Sequence, residues 1–250
     1  MKKLNRMLLR DITKSKGQFI AAALVIFAGI TLFSATSMSY RNLKGSVERY
    51  YQQYAFLDYL AEARSMTPET VKQVKALEGV KEAAGRVSVD AAADMGSDKR
   101  VTVRLVSLPD NERPSVNNIC ITSGGYFSRE LPNTCIVDKK FADHHGLAKG
   151  DELEIIVNYH SYRLKISGIA GSPEFIYAMK SAYTFSVSSE DFGIVYVKES
   201  LANSLLGYNG SYNQLHVIFE RDVDKKAVID RIESILKPCG FVYGLERKDQ

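Results

Sequence analysis

From Gly17 to Tyr40 the chain runs 24 positions without a charged side chain, and beyond Tyr40 its apolar residues break into short groups of helical or alternating period. At about 1.5 Å rise per residue the first run covers a hydrocarbon core of roughly 30 Å. This predicts a transmembrane helix over 18–39, entered through a basic segment, 1–17. After it, Leu43, Val47, Tyr50, Tyr51 and Tyr54 recur at three- and four-residue steps, which predicts a stalk helix over 40–55. Two forms of that stalk fit the pattern: a continuation of the span, or a separate short helix after a break at Gly45, since glycine costs only about 1 kcal/mol inside a helix.

Further along, "FLDYLAEAR" reads as a strand and "TPETVKQVKALEG" as a helix with Thr67 as N-cap, Pro68 at its first position and Gly79 closing it. "GRVSVDAAAD" and "RVTVRLVSL" alternate, with Val87, Val89, Ala91 and Val101, Val103, Leu105 on one face, joined across "MGSDK". Together these predict an opening strand, helix and hairpin. The turn-rich "PDNERPSVNN" ends that unit. "TCIVD" then predicts a strand, "KKFADHHGL" a helix closed by Gly146, and "DELEIIVNY" with "YRLKISGIA" a hairpin turning near His160. "FGIVYV", "KESLANSLLG", "YNQLHVIFE", "DVDKKAVIDRIESILKP" and "GFVYGLE" alternate strand and helix to the end, with Val228, Ile232, Ile235 and Leu236 on the inner face of the last helix. The fold class is α+β: two mixed halves around a strand-rich insert, without a tandem repeat.

Charge orients the span. Lys2, Lys3, Arg6, Arg10, Lys14 and Lys16 precede it against Asp11 alone, so the positive-inside rule keeps the amino end in the cytoplasm and places everything after about residue 40 outside the cell membrane. Removing positions 1–40 leaves 27 basic and 28 acidic residues. The basic excess is therefore a topology signal and argues against nucleic acid as a partner. An apolar stretch longer than the about 7–15 residues of a signal peptide favours an uncleaved anchor, with Ser34, Ala35 and Thr36 as the small residues a cleavage site would use. About 210 residues remain outside, 45% of the chain being hydrophobic, enough to fold. Cys120, Cys135 and Cys239 are too few for a disulfide scaffold; their spacing fits a Cys120–Cys135 bridge as well as three small buried hydrophobes.

No constellation points to catalysis. His144 and His145 are neighbours on a helix and point about 100° apart, unlike an i, i+4 metal pair. His160 and His216 have no metal partner in sequence. There is no GxSxG elbow and no P-loop, and the glycines of "SGGYF" and "LAKGDE" read as turn residues. No catalytic, cofactor or metal residue is assigned, and the chain reads as a non-enzyme. Within the span, Ala21, Ala28, Thr31 and Ala35 form a small-residue stripe that suits another helix, or is simply the usual abundance of small residues in membrane helices.

Four stretches, "LRDITKSKGQFIA", "ALEGVKEAAGRVSVDA", "TCIVDKKFADHHGLAKGDELEI" and "YRLKISGIAGSPEFIY", in this order after one basic-flanked span, resemble the amino-terminal part of FtsX-like, MacB-type ABC transporter permeases. The resemblance covers nearly the whole chain. It implies a MacB-like extracytoplasmic domain, with a porter-like α/β part in two pieces, 56–109 and 192–250, and a β-rich Sabre-like insert, 110–191. It implies a permease subunit that couples ATP hydrolysis by a separate cytoplasmic ABC ATPase to motion of the outer domain, for export or transmembrane signalling. Its partners would be that ATPase, a second permease copy or paralogue, and membrane lipid, with no cofactor of its own. The family pattern continues into three more helices, whereas this sequence stops at "ERKDQ", so it is expected to be an amino-terminal fragment. The alternatives are a single-pass anchored protein whose outer domain binds a ligand or sensor partner, and a tethered hydrolase.

Overall fold

The computed structural model describes residues 7, 10, 15–96, 99–128, 130–175 and 190–247. Lys2, Lys3, Arg6, Asp11 and Lys14 of the basic approach, part of the "MGSDK" connection, and the chain end after residue 247 lie outside these residues. The chain divides into two compact units, Met1–Tyr50 and Tyr51–Gln250.

A single helix, α1 (Lys16–Gln53), runs for 38 residues with no side chain buried. It passes Gly45 without a break, so the separate short helix is not formed; one glycine penalty is small beside the cooperativity of a long helix. Two hydroxyls in the apolar stretch are satisfied within the helix itself. The hydroxyls of Thr31 and Thr36 donate to the carbonyls of Phe27 and Leu32, each at 2.8 Å, as a lipid environment requires. The helix stops at Gln53, and Ala55 takes a left-handed backbone, φ 49°, so Tyr54 stands in the turn that follows.

The second unit is built on two sheets. In the first, β1 (Tyr59–Met66), β2 (Val80–Arg86), β10 (Tyr212–Phe219) and β11 (Phe241–Glu246) lie in the order β11-β1-β10-β2 with every pair antiparallel. Helices α2 (Pro68–Lys75) and α5 (Lys225–Leu236) join β1 to β2 and β10 to β11, which makes a split β-α-β sheet. One face packs Tyr59, Ala61, Leu215 and Val217 against Val74, Val228, Ile232 and Leu236 of the helices. Ile235, expected inward, is partly buried against the same cluster. Thr67 caps α2, its hydroxyl accepting from Thr70 N–H at 3.3 Å, and Pro68 opens the helix as the sequence implies. The C-cap, however, is Ala76 and not Gly79; Gly79 has φ 91° and serves the turn into β2.

Strand β2 was not legible in the sequence. The Lys81–Ala84 run of "VKEAAGR" favours a helix, and pairing with β10 overrides that local preference. The expected opening hairpin, β3 (Ser88–Asp94) with β4 (Arg100–Leu108), does form, with Val89 opposite Leu105 and Ala91 opposite Val103. It belongs to the other sheet, so the partners of β1 are β10 and β11 from the far end of the chain.

That second sheet has seven strands, β5-β8-β6-β9-β4-β3-β7: β5 is Cys120–Gly124, β6 Thr134–Asp138, β7 Glu152–Val157, β8 His160–Gly171 and β9 Phe192–Lys198. Strand β8 is long enough to pair with β7 in its first half and β6 in its second, which closes the ladder into a ring. The β7–β8 turn is made by Asn158 and Tyr159, both at positive φ. Inside lie Val101, Val103, Leu105, Val137, Leu153, Ile155, Leu164, Ile166 and Val195, together with Phe141 of α3 (Lys139–His145) and Leu201 of α4 (Glu199–Leu206). Asp138 caps α3 by accepting from Lys140 N–H at 2.9 Å, and Gly146 ends it in the left-handed region. Phe141 sits where a side chain at position 193 would be: a Cβ there would lie 2.3 Å from its ring, so only glycine fits. Burying such a phenylalanine stabilises by about 1.5–3 kcal/mol.

Candidate functional site: an apolar helix, an entry clamp and a buried polar knot

In α1, Ala21, Ala28, Thr31 and Ala35 are all exposed, with the Thr31 hydroxyl already bonded. Of the stalk residues, Leu43 and Val47 are exposed and Tyr50, Tyr51 and Tyr54 half-buried. The helix is long and apolar enough to cross a membrane.

The chain enters its second unit through Tyr51–Asp58, and one arginine from the far end holds this segment. Phe56 N–H donates to Tyr51 O at 2.8 Å, and the two rings stack with centroids 4.7 Å apart. Arg247, just past β11, donates from Nε to Leu57 O at 2.8 Å and from Nη2 to Phe56 O at 2.6 Å. The same Nη2 lies 3.1 Å from Asp58 Oδ1, and the guanidinium stands 5.4 Å from the Phe56 ring and 5.8 Å from the Tyr51 ring. Its backbone N–H donates to Asp58 O at 2.9 Å. Asp58 in turn accepts from Phe219 N–H at 3.0 Å and faces Lys225 Nζ at 3.6 Å, and its own N–H donates to Val217 O at 2.8 Å. A planar fork with five donors suits this role better than an ammonium would.

Leu57 also reaches a buried polar knot. Its N–H donates to Asn117 Oδ1 at 2.8 Å, which orients the amide so that Nδ2 must donate to Glu174 Oε2 at 2.9 Å and to His216 Nδ1 at 3.2 Å. His216 is therefore assigned neutral, with its proton on Nε2. Glu174 is paired with Arg86 Nη1 at 2.6 Å, both side chains almost completely buried. Burial, and then the Arg86 charge, hold the His216 pKa well below its ordinary value near 6.5. Glu174 Oε1, 4.0 Å from Nε2, does not reverse this, because its charge already faces Arg86. The knot ties β2, β10, the Asn117 loop and the turn after β8 together. Beside it is a cleft of about 160 Å³ whose polar lining includes Arg86, Ser107, Arg113 and His216. Sequence reasoning singled out His216 alone; Arg86, Asn117 and Glu174 lie too far apart in the chain for spacing to betray them.

The remaining sequence candidates do not assemble. His144 and His145 touch edge to face, centroids 4.9 Å apart, despite their divergent directions, while His160 is exposed at the β7–β8 turn. Among the described residues no group of three His, Cys, Asp or Glu could hold a metal. All three cysteines are free thiols, so the Cys120–Cys135 bridge is not made; burial pushes the Cys135 thiol up to about 12.

No family model and no curated protein matches this sequence. Among solved structures, the chain is similar to the extracellular domain of the noncanonic ABC-type transporter YknZ from Gram-positive bacteria, at 12% identity over 73% of this chain and 96% of that one, with a TM-score of 0.49. It is also similar to the periplasmic region of MacB from Actinobacillus actinomycetemcomitans, at 9% identity over 80% and 94% of the two chains, with a TM-score of 0.49.

Proposed function

We propose that this chain is the amino-terminal part of an ABC transporter permease subunit of the FtsX-like, MacB-type class, with its amino end in the cytoplasm and its second unit outside the cell membrane. It acts in this reading with a separate ATP-binding subunit and a second permease copy or paralogue, converting ATP-driven helix movement into movement of the outer unit for export or signalling. The observation that carries the reading is α1: one unbroken helix of 38 residues, none of them buried, which continues well past the span. Three of the four stretches that resemble the family support it, because their described residues fall on distinct pieces of the architecture. "ALEGVKEAAGRVSVDA" is the crossing from one sheet to the other, "TCIVDKKFADHHGLAKGDELEI" is β6, α3 and β7, and "YRLKISGIA" is β8. In this reading 40–55 is the stalk, and the 56–109, 110–191 and 192–250 segments are the porter-like and Sabre-like parts.

The test combines topology with partnership. A phosphatase fused after residue 247 should be active outside the cell, and cross-linking in native membranes should capture an ATP-binding subunit with the chain. Val47→Pro, which should break α1 at about 3 kcal/mol or more, should abolish ATP-dependent changes in the outer unit. A fusion active only in the cytoplasm, or capture of no ATP-binding subunit, would overturn the reading.

A further inference from the structure

We infer that Arg247 is the positioning residue through which the entry segment Tyr51–Asp58 moves as one piece with the split β-α-β sheet, an inference that rests on the permease reading above. A segment joining a helix to a sheet ordinarily absorbs displacement by rotating its backbone. Here that freedom is removed at three successive residues. The carbonyls of Phe56 and Leu57 are both held by the Arg247 fork, and Asp58 is held through its carboxylate by the same fork and through its carbonyl by the Arg247 backbone. The rings of Tyr51 and Phe56 stack on each other and lie against the guanidinium.

The load then has two routes into the body. Asp58 passes it to β10 through Val217 O and Phe219 N–H, and Leu57 passes it to the buried knot through Asn117. Arg247 belongs to the stretch that follows β11, an outer strand of the same sheet, so the place where the chain enters the body and the place where β11 ends are fixed to each other. Arginine suits the place chemically: Nε meets the Leu57 carbonyl while Nη2 meets the Phe56 carbonyl and Asp58, and a lysine, with all its donors on one nitrogen, would keep the attraction to Asp58 without spreading donors over that fixed fork.

The experiment is hydrogen exchange on the full chain in native membranes, with and without ATP, comparing wild type with Arg247→Ala and Arg247→Lys. In both variants the amides of 56–58 should exchange about tenfold faster, while amides in the middle of β10, such as Leu215, keep their protection. A general loss of stability would raise both sets together. With ATP, the wild type should show a nucleotide-dependent change in β1 and β10 that both variants lose while ATP hydrolysis continues. Unchanged exchange at 56–58, or a nucleotide response in β1 and β10 that survives in the variants, would overturn the role of Arg247. Should Arg247→Ala fail to fold, Arg247→Lys, which keeps the charge opposite Asp58, carries the same test. A wild type with no nucleotide response at all would overturn the permease reading itself, a result separate from loss in the variants alone.

Discussion

Phe27 and Phe141 are the same residue in opposite surroundings. Phe27 stands 69% exposed on α1 beside Ile26, Ile30 and Phe33, all exposed, whereas Phe141 is completely buried with β9 packed against its ring. In the second unit the chain supplies its own apolar medium, by alternating strands whose inner faces meet. In α1 the apolar residues go all the way round and none of them is buried, so their medium must come from lipid or from other helices. The same composition is therefore a core in one region and a solvent requirement in the other.

The largest effect that sharpens this contrast belongs to the core. Phe141→Ala should destabilise the second unit by about 3–5 kcal/mol, read as a lower denaturation midpoint, while Phe27→Ala should leave that midpoint unchanged. Next comes the helix. Ile26→Arg near the middle of the span should reduce insertion by about 2.5–3.5 kcal/mol, read as loss of the carbonate-resistant membrane fraction with no change in the body's unfolding. A chain that stayed in the membrane as well as before would break the comparison, because α1 would then have a protein medium that tolerates a charge.

The two regions were also unequally legible. A charge-free run has one plausible structure in lipid, so α1 could be located without knowing any partner, and only its continuity through Gly45 and its stop before Tyr54 had to be seen. In the body, the alternation of β3 and β4 gave their register, because residues on one face must meet a common core. Alternation does not say which sheet a strand joins, and the hairpin was assigned to the opening unit for that reason. Strand β2 hid because Lys, Glu and Ala carry no strand preference, and β5 because "SGG" reads as a turn. The clamp and the knot were invisible for a different reason. Asp58 with Arg247, and Arg86 with Glu174, are pairs made only by chain topology, and neither spacing nor composition marks them before the sheets are assembled.

His216 tests whether the body tolerates polarity inside as strictly as α1 does. Its pKa is depressed in the folded state, so below the ordinary value near 6.5 the unfolded chain binds a proton that the folded chain refuses. Stability should therefore fall as the pH drops below about 6.5, by at most about 1.4 kcal/mol per pH unit, until the depressed folded pKa is reached. Thermal unfolding across that range should show the slope in the wild type and lose it in His216→Gln. The geometry adds a reason for the refusal: a proton on Nδ1 would face the Asn117 Nδ2 donor at 3.2 Å. An unchanged slope in His216→Gln would assign the acid sensitivity to other groups.

The smallest expected effects come from two threonines whose hydroxyls bond the backbone in opposite senses. Thr67 offers its oxygen to an otherwise unpartnered N–H in the first turn of α2, and Thr67→Ala should cost about 1 kcal/mol in the unfolding of the body. Thr31 instead donates back to the carbonyl of Phe27 within its own helix, a bond that rescues the hydroxyl but gives the helix little. Thr31→Ala removes a polar group from an apolar stretch and should change neither the body's unfolding nor membrane retention by more than about 0.5 kcal/mol. Its informative readout is association: if the side carrying Ala21, Ala28, Thr31 and Ala35 packs on α1 of a second copy, Thr31→Leu should weaken cross-linking between copies while Thr31→Ala preserves it. Equal cross-linking in both variants would place the contact elsewhere on α1 and leave lipid as the medium of this face.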